Sequence, residues 1–292
     1  MKKIIIAATI FCLSMAYLSQ SAIAEIRIGV NAARGELQVV KEWSELANYL
    51  SSELGQPVKL IPLTAASFLG SIERKEVDFL LANPVQSVHV NEKNGFTYLA
   101  TLNKKTGSQF AGVIIAKKGN GITKASDLKG KNVMSRDPKT AAGAFLFQAY
   151  HLHKQGIDVR KDLASLKEGQ KQDDLVLAVK AGVIDAAFIR SGMLETMEKE
   201  GKIKIDDFVI VDQRTTANFP FIHTTELYPE WFFSASPKTD SKTANKVKTA
   251  ILKITPDSKA AAAANINGFV EPIPTDGLKK AMKAMKIAPY DK

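Results

Sequence analysis

The feature that most constrains the fold of this chain is an alternation of short β-rich runs with segments of helical periodicity. The first run alternates apolar and polar residues, and the segment after it repeats apolar residues every three or four positions until Gly55, a helix stop signal. Such alternation is typical of parallel sheets covered by helices. The predicted elements are strands at 25–31, 57–63 and 77–82 and helices at 39–54 and 67–75.

The same alternation begins again farther along the chain, after two strands that belong to neither of the first βαβ units. Two similar α/β blocks in succession predict two lobes. The predicted elements of this part are strands at 98–102, 110–117, around 133, 184–189 and 208–211, and helices at about 140–155 and at 172–181.

The C-terminal part, from Phe219 onward, shows two helical segments, at 241–254 and 277–285, but few strands. We therefore expect it to return and cover the first lobe, so that two connecting strands form a hinge. The expected division is lobe 1 at 25–110 and 215–292 and lobe 2 at 111–214. Ligands of such open sheets lie beyond the carboxyl ends of the strands, so the cleft between the lobes is the expected site.

The N-terminus predicts export. Two lysines precede an apolar run and a small-x-small cleavage site, which together indicate a signal peptide at 1–24. Cys12, the single cysteine, lies within this leader, so the mature chain is expected to have no disulfide and no thiolate metal site. The lipoprotein pattern requires a small residue before the cysteine, and Phe11 is too bulky for it, so we expect no lipid anchor. No later stretch approaches about 18 consecutive apolar residues, and we expect a soluble periplasmic protein.

Several motifs resemble one protein family. Segments 78–84 (DFLLANP), 126–131 (SDLKGK), 137–143 (DPKTAAG) and 183–190 (VIDAAFIR) resemble, in this order, the periplasmic phosphate/phosphite/phosphonate-binding proteins of ABC transporters. Segments 223–231 and 287–290 resemble the sensor-domain variant of tetrathionate-type histidine kinases. The resemblance implies a type II periplasmic solute-binding fold, two α/β lobes with a two-strand hinge that close on a small anion. With neither a transmembrane helix nor a kinase domain in the sequence, we expect a freestanding binder.

The turn at 137–143 is the first candidate anion site, because it precedes an apolar helix whose free N–H groups and dipole favour negative charge. In phosphonate binders the corresponding turn resembles a cluster of Ser and Thr. Here Thr140 keeps a hydroxyl, and Ala141 and Ala142 occupy the other places. This departure favours a different, larger or more weakly hydrated anion, and the alternative is an ordinary capped helix.

Four further candidates follow the strands of lobe 1. Arg34 stands after the first strand and could form a bidentate contact with an oxyanion, or be a solvated arginine. Thr64 and Ser67 follow the second strand and could offer hydroxyls to a ligand or cap a helix. Asn83 follows the third strand and could cap the next helix or donate to a ligand.

The candidates of lobe 2 are Arg190 and Ser191, at the ligand-facing end of a strand. We prefer Arg190 as an anion partner, with a lobe-closing salt bridge as the alternative. His223 lies where the chain is expected to recross between the lobes and could contact ligand or be structural.

Other chemistry has no support in the sequence. His151 and His153 are two apart on a predicted helix and face different ways, and no nucleotide or hydrolase motif occurs. We therefore expect no enzyme activity, metal, cofactor or nucleic-acid partner. The net charge of +10, or +8 once Lys2 and Lys3 are removed, favours small anions.

The sequence thus predicts a monomeric periplasmic protein that captures a small oxyanion or organic anion, phosphonate/phosphite-like or a sulfur oxyanion. The expected partner is an ABC permease. The alternative is a ligand-binding sensory component that delivers its signal to a membrane histidine kinase.

Overall fold

The computed structural model describes residues 25–291, so the predicted signal peptide at 1–24 lies outside it. The strands are β1 (Ile26–Asn31), β2 (Val58–Leu63), β3 (Phe79–Ala82), β4 (Thr97–Lys104), β5 (Gln109–Phe110), β6 (Gly112–Lys117), β7 (Asn132–Ser135), β8 (Ser165–Glu168), β9 (Ala186–Arg190), β10 (Phe208–Ile210), β11 (Arg214–Thr216), β12 (Phe219–His223), β13 (Tyr228–Pro229), β14 (Phe232–Ala235) and β15 (Ile266–Val270).

The helices lie between these strands. They are α1 (Glu36–Leu54), α2 (Phe68–Glu73), α3 (Pro84–Asn94), α4 (Phe147–His153), α5 (Gln172–Ala181), α6 (Met193–Lys199), α7 (Ser241–Leu252), α8 (Lys259–Ala264) and α9 (Asp276–Ala284). A π-helical turn, Ala142–Leu146, runs directly into α4. Among residues 25–291, no helix is both long and apolar enough to cross a membrane.

Lobe 1 is built on a six-stranded sheet with the order β15-β4-β14-β3-β1-β2. The strands β1, β2 and β3 are parallel, as the βαβ pattern predicts, whereas β14 is antiparallel to both of its neighbours. One face packs against α1, α7 and α8, and the other packs against α2 and α3. The helix α1 buries residues spaced for one face, among them Val39 and Trp43, and ends at Gly55 in the left-handed conformation.

The sequence-based expectation of few strands after Phe219 is wrong for lobe 1. The strand β14 lies in the middle of the lobe 1 sheet, and β15 forms its edge. Phe232 and Phe233 of β14 are fully buried, and each such side chain stabilises the fold by about 1.5–3 kcal/mol. A strand with all four residues buried lacks the alternation that marks a half-exposed strand.

Lobe 2 is built on a five-stranded sheet with the order β10-β6-β9-β7-β8. Its parallel pairs join β7 to β8 and β9, and its antiparallel pairs join β6 to β9 and β10. The helices α5 and α6 pack on one face, and the π turn with α4 packs on the other. The predicted architecture of two α/β lobes is therefore confirmed.

The lobes are joined by a ribbon in which β5 pairs with β13 in antiparallel register. This ribbon is the predicted two-strand hinge. The chain recrosses at β13, after the β11–β12 hairpin and after Thr224, whose backbone N–H donates to Gly112 O of lobe 2 at 2.9 Å. The boundary at 215 stays a prediction.

The C-terminal helix α9 packs beside the ribbon and contacts both lobes. Its Leu278 and Met282 share an apolar cluster with Val88 of α3 in lobe 1 and with Phe147 of α4 in lobe 2. Lys279 Nζ also forms an ion pair with Glu92 Oε1 of α3 at 2.7 Å. Of the C-terminal helices, α7 and α8 thus cover the lobe 1 sheet, and α9 bridges the two lobes.

Candidate functional site

A cavity of about 260 Å³ lies between the two lobes, at the ends of strands from both sheets. Lobe 1 contributes residues that follow β1 and β3, the end of β4, and one side of α1. Lobe 2 contributes residues that follow β7 and β9 and the turn that leads into the π helix. Six of the ten residues predicted for the site line this cavity: Arg34, Asn83, Thr140, Ala141, Ala142 and Arg190.

The predicted anion turn lines the cavity. The first turn of a helix leaves its N–H groups without an acceptor inside the helix, so the N–H groups of Ala142, Gly143 and Ala144 are available here. The N–H of Ala141 is already used, because it donates to Asp137 O at 3.0 Å. A Cβ on Gly143 would lie 2.6 Å from the ring of Phe110, so close packing against β5 requires glycine at this place.

The hydroxyl of Thr140 is directed into its own turn. Its Oγ1 donates to Asp137 Oδ2 at 2.8 Å, and Asp137 Oδ1 accepts from the backbone N–H of Lys139 at 2.9 Å. These bonds hold the Asp137 carboxylate in the loop. In this arrangement the turn offers amides and no hydroxyl proton to a guest, although Thr140 lines the cavity.

Two guanidinium groups of lobe 2 line the cavity without an ion pair. Within residues 25–291, neither Arg136 nor Arg190 has a carboxylate oxygen within 4.0 Å. Arg136 Nη1 donates to Gly169 O at 2.7 Å, and Arg190 Nε donates to Ser191 O at 3.3 Å. Burial lowers the pKa of Arg136 from its ordinary value, because a charge held away from water and counterions is destabilised.

Lys104, at the end of β4, brings a third cation to the cavity. Its Nζ lies 2.9 Å from Glu230 Oε1, and the side chains are 19% and 2% exposed. Burial, and then the charge of Arg190, lower the pKa of Lys104 to about 8, while Glu230 opposes the shift. This lysine therefore changes its charge close to neutral pH.

Arg34 links the two lobes across the cavity. Its Nη2 donates to Asp173 Oδ2 at 3.0 Å, and Asp173 belongs to the first turn of α5 in lobe 2. Glu200 lies 3.5 Å from the same guanidinium. Burial opposes the charge on Arg34, but the hydrogen bonds to Asp173 outweigh it and raise the pKa of the guanidinium. The lobe-closing salt bridge weighed above for Arg190 is thus made by Arg34.

Asn83 is also bound to groups on both sides of the cleft. Its side chain accepts from the N–H groups of Val85 and Gln86 and so caps α3, with Pro84 at the first helical position. Its Nδ2 donates to Thr140 O of lobe 2 at 3.1 Å. The two roles considered for Asn83, helix cap and polar group at the cavity, are therefore compatible.

The other four predicted residues do not line the cavity. Thr64 and Ser67 bond each other, with 3.1 Å between the hydroxyl oxygens, and only Ala65 between them faces the cavity. Ser191 is buried and its Oγ accepts from Ala111 N–H at 3.0 Å. His223 is buried in the β11–β12 hairpin, with Nε2 2.9 Å from Thr216 Oγ1.

Sequence reasoning missed several residues of the cavity, above all Lys104, Arg136 and the two tryptophans, Trp43 and Trp231. Arg136 follows the strand β7 directly, and the strand-end rule that selected Arg34 could have found it. Trp231 precedes a strand that was not predicted, so no local signal identified it. Among the described residues, no group of His, Cys, Asp or Glu side chains could hold a metal ion.

Comparison with known proteins decides the family. The model of a family described as ABC transporter, phosphonate, periplasmic substrate-binding protein matches residues 28–276. The chain belongs to this family. The resemblance seen in the sequence motifs is thereby confirmed, and so is the assignment to periplasmic substrate-binding proteins.

One curated relative of this phosphonate-binding family member is the tetrathionate sensor histidine kinase TtrS of Salmonella typhimurium. The two are 31% identical over 230 residues, which cover 77% of this chain. The matched region is 38% of the relative, so this chain spans well under half of the kinase's length.

Two solved structures of substrate-binding proteins share the fold. PhnD1 of Prochlorococcus marinus, in complex with methylphosphonate, has a TM-score of 0.73 at 16% identity and covers 89% of this chain and 97% of its own. A binding protein component of an ABC phosphonate transporter from Pseudomonas aeruginosa has a TM-score of 0.75 at 16% identity and covers 90% and 87%. The type II solute-binding fold is therefore confirmed.

Proposed function

We propose that this protein captures a small oxyanion or organic anion in the cavity between its lobes and hands it to an ABC permease. The observation that carries the proposal is the pair of arginines, Arg136 and Arg190, that line the cavity without a carboxylate within ion-pair distance among residues 25–291. Charges removed from water without a partner cost several kcal/mol, and an anion between them offsets that cost.

The backbone supports the same ligand class. The residues at the start of the π helix line the cavity, so we expect their N–H groups and the positive end of the helix dipole to add to the field of Arg136 and Arg190. The two arginines and the backbone amides belong to lobe 2, whereas the third cation, Lys104, belongs to lobe 1. An anion held by both sides stabilises the closed form, because it contacts each lobe.

The same proposal covers the mode of action, the oligomeric state and the location of the protein. The protein acts by binding alone, works as a monomer, and reaches the periplasm through cleavage of the leader at 1–24. Closure of the two lobes, which the contact of Arg34 with Asp173 favours, creates the surface that a membrane partner recognises.

A sensory role is the second candidate, and the identity to a sensor histidine kinase over 77% of this chain favours it. In that role the closed protein signals to a membrane kinase. Deletion of the gene separates the two roles. Loss of uptake of the anion supports transport, and loss of the transcriptional response with normal uptake supports sensing.

The ligand class is tested by a thermal-shift screen of phosphate, phosphite, phosphonates, thiosulfate, tetrathionate, sulfite and small carboxylates. A ligand at 100 times its Kd stabilises the protein by about 2.7 kcal/mol, which is readily seen as a higher Tm. A screen in which no anion raises the Tm would contradict the proposal.

The place of the anion is tested with Thr140→Glu, which puts a carboxylate beside the N–H groups of the turn. Two like charges about 4 Å apart repel by roughly 4 kcal/mol near a protein surface, so affinity should fall at least 100-fold. Asn245→Glu adds the same charge on the exposed side of α7, away from the cavity, and is expected to change Kd less than twofold. Equal affinities of the two variants would refute the placement.

A further inference from the structure

Two side-chain amides of lobe 1 line the cavity on the side where α3 begins. Asn31 is the last residue of β1, and Gln86 lies in the first turn of α3. Their residues are 9% and 3% exposed, so nearly all of each side chain is enclosed by protein. What surface these amides keep therefore borders the cavity that they line.

The helix cap at Asn83 fixes the orientation of both amides. Asn83 Oδ1 accepts from the first free N–H groups of α3, so its Nδ2 is the atom that donates to Gln86 Oε1, at 2.7 Å. Gln86 Oε1 also accepts from Asn31 Nδ2. With these atoms engaged, Gln86 Nε2 remains as a donor and Asn31 Oδ1 remains as an acceptor.

The two remaining atoms have no partner in the part of the protein that the structure describes. Within residues 25–291, Gln86 Nε2 has no acceptor and Asn31 Oδ1 has no donor at hydrogen-bond distance. Neither belongs to the fully enclosed polar atoms without a partner, such as Gln148 Oε1, so each keeps accessible surface. A polar atom taken out of bulk water is destabilising unless it is hydrogen-bonded, so a guest that bonds both atoms is favoured.

The pair of amides selects an uncharged group of the guest. A second oxyanion group has no proton to donate to Asn31 Oδ1, and an ammonium group cannot accept from Gln86 Nε2. A hydroxyl can do both through one oxygen. Because Asn83 Nδ2 donates both to Gln86 Oε1 and to Thr140 O, this pair lies next to the predicted anion turn.

We infer that the guest is a hydroxylated anion. Its anionic head lies at Arg136, Arg190 and the turn, and a hydroxyl close to the head donates to Asn31 Oδ1 and accepts from Gln86 Nε2. The inference rests on the proposed function, because it names the class of anion that the same cavity takes.

Pairs of anions that differ by one hydroxyl test the inference. Hydroxymethylphosphonate with methylphosphonate, 2-hydroxyethanesulfonate with ethanesulfonate, and hydroxyacetate with acetate are titrated into the protein by calorimetry. A neutral hydrogen bond contributes roughly two- to tenfold in affinity, so two of them should make the hydroxy compound bind about tenfold more tightly than its parent. The sulfonates and carboxylates carry no proton on the head at neutral pH, so a difference within these pairs reports the hydroxyl on carbon.

Two variants test the place of the hydroxyl. Asn31→Leu removes the acceptor at nearly constant size, and Gln86 Oε1 still accepts from Asn83. Gln86→Met removes the donor, and Asn83 Nδ2 still donates to Thr140 O. Each variant should lower the preference for the hydroxy compound at least threefold, since one hydrogen bond is lost. Ser87→Ala is the matched control, because Ser87 is buried in the same turn of α3 and does not line the cavity, and it should leave the preference unchanged.

The outcomes separate the inference from the function on which it rests. A preference for the hydroxy compound that Asn31→Leu and Gln86→Met reduce and Ser87→Ala retains supports the inference. Equal affinities within every pair that binds overturn it and leave anion capture intact, and so does a preference that both variants retain. If none of the six compounds binds, the inference is overturned, and anion capture is decided by the thermal-shift screen.

Discussion

Raising the pH from 7 to 9 should weaken anion binding about tenfold through the loss of one charge, that of Lys104. Burial, then the nearby Arg190, lower the pKa of this lysine from 10.5 to about 8. A lysine with that pKa is roughly nine-tenths charged at pH 7 and one-tenth charged at pH 9, so a guest that requires the charge loses about a factor of ten. The arginines of the cavity keep their charge over this interval.

The stability of the protein without ligand should change in the opposite direction. In the unfolded chain Lys104 keeps its proton up to about pH 10.5, whereas the folded chain releases it from about pH 8. Between these values the unfolded state binds more protons, so the free energy of unfolding rises with pH. The penalty of the buried charge is thus fully present below about pH 8 and is lost progressively as the pH rises to about 10.5.

The assay is calorimetric titration with thiosulfate or tetrathionate, whichever raises the Tm in the screen, because the charge of both anions is constant from pH 7 to 9. The control is the double variant Lys104→Met with Glu230→Gln, which removes both members of the pair and avoids a buried unpaired carboxylate. Its affinity should be nearly independent of pH over this range. A flat profile in the unaltered protein, or an unchanged slope in the double variant, would refute the role given to Lys104.

Two further changes test the contacts around the cleft. Asp173→Asn removes the charge that holds Arg34 across the lobes. A partly buried charged hydrogen bond contributes about 1.5–3 kcal/mol, so the ratio of closed to open protein without ligand should fall at least tenfold. An unchanged radius of gyration in small-angle scattering would contradict this. Gly143→Ala puts a methyl group 2.6 Å from the ring of Phe110 and should lower the free energy of unfolding, measured in urea, by about 1–3 kcal/mol. The control is Gly277→Ala, which has open space around it and should change the free energy of unfolding by less than 1 kcal/mol. Similar effects of the two variants would argue against close packing at the turn.

The sequence predicts the elements whose signal is local. The helix α5 has the predicted bounds, because its apolar spacing is regular and Gly182 ends it in the left-handed conformation. The strand β14 was missed, because it is four residues long and entirely buried. It is stabilised by pairing with β3, in which Phe233 faces Leu81. Contacts between residues so far apart in the chain leave no periodic trace in either segment.

The same distinction holds for the cavity. The turn at 137–143 was found because a helix start can be recognised locally, and it lines the cavity. The partner of Arg34 could not be found, since Asp173 is brought to it only by the meeting of two lobes. Thr64 and Ser67 were selected by strand order, but their hydroxyls satisfy each other. Strand order predicts where a loop lies and does not predict where its side chains point.

The helix α9 is bound to both halves of the molecule. Its Lys279 forms an ion pair with Glu92 of lobe 1. On the lobe 2 side, Arg160 Nη2 donates to O of Met285, the residue after α9, at 3.1 Å. A wide opening of the two lobes would have to break one of these contacts or expose the apolar face of α9 to water. We therefore expect α9, whose residues do not line the cavity, to limit the opening of the lobes in the protein without ligand.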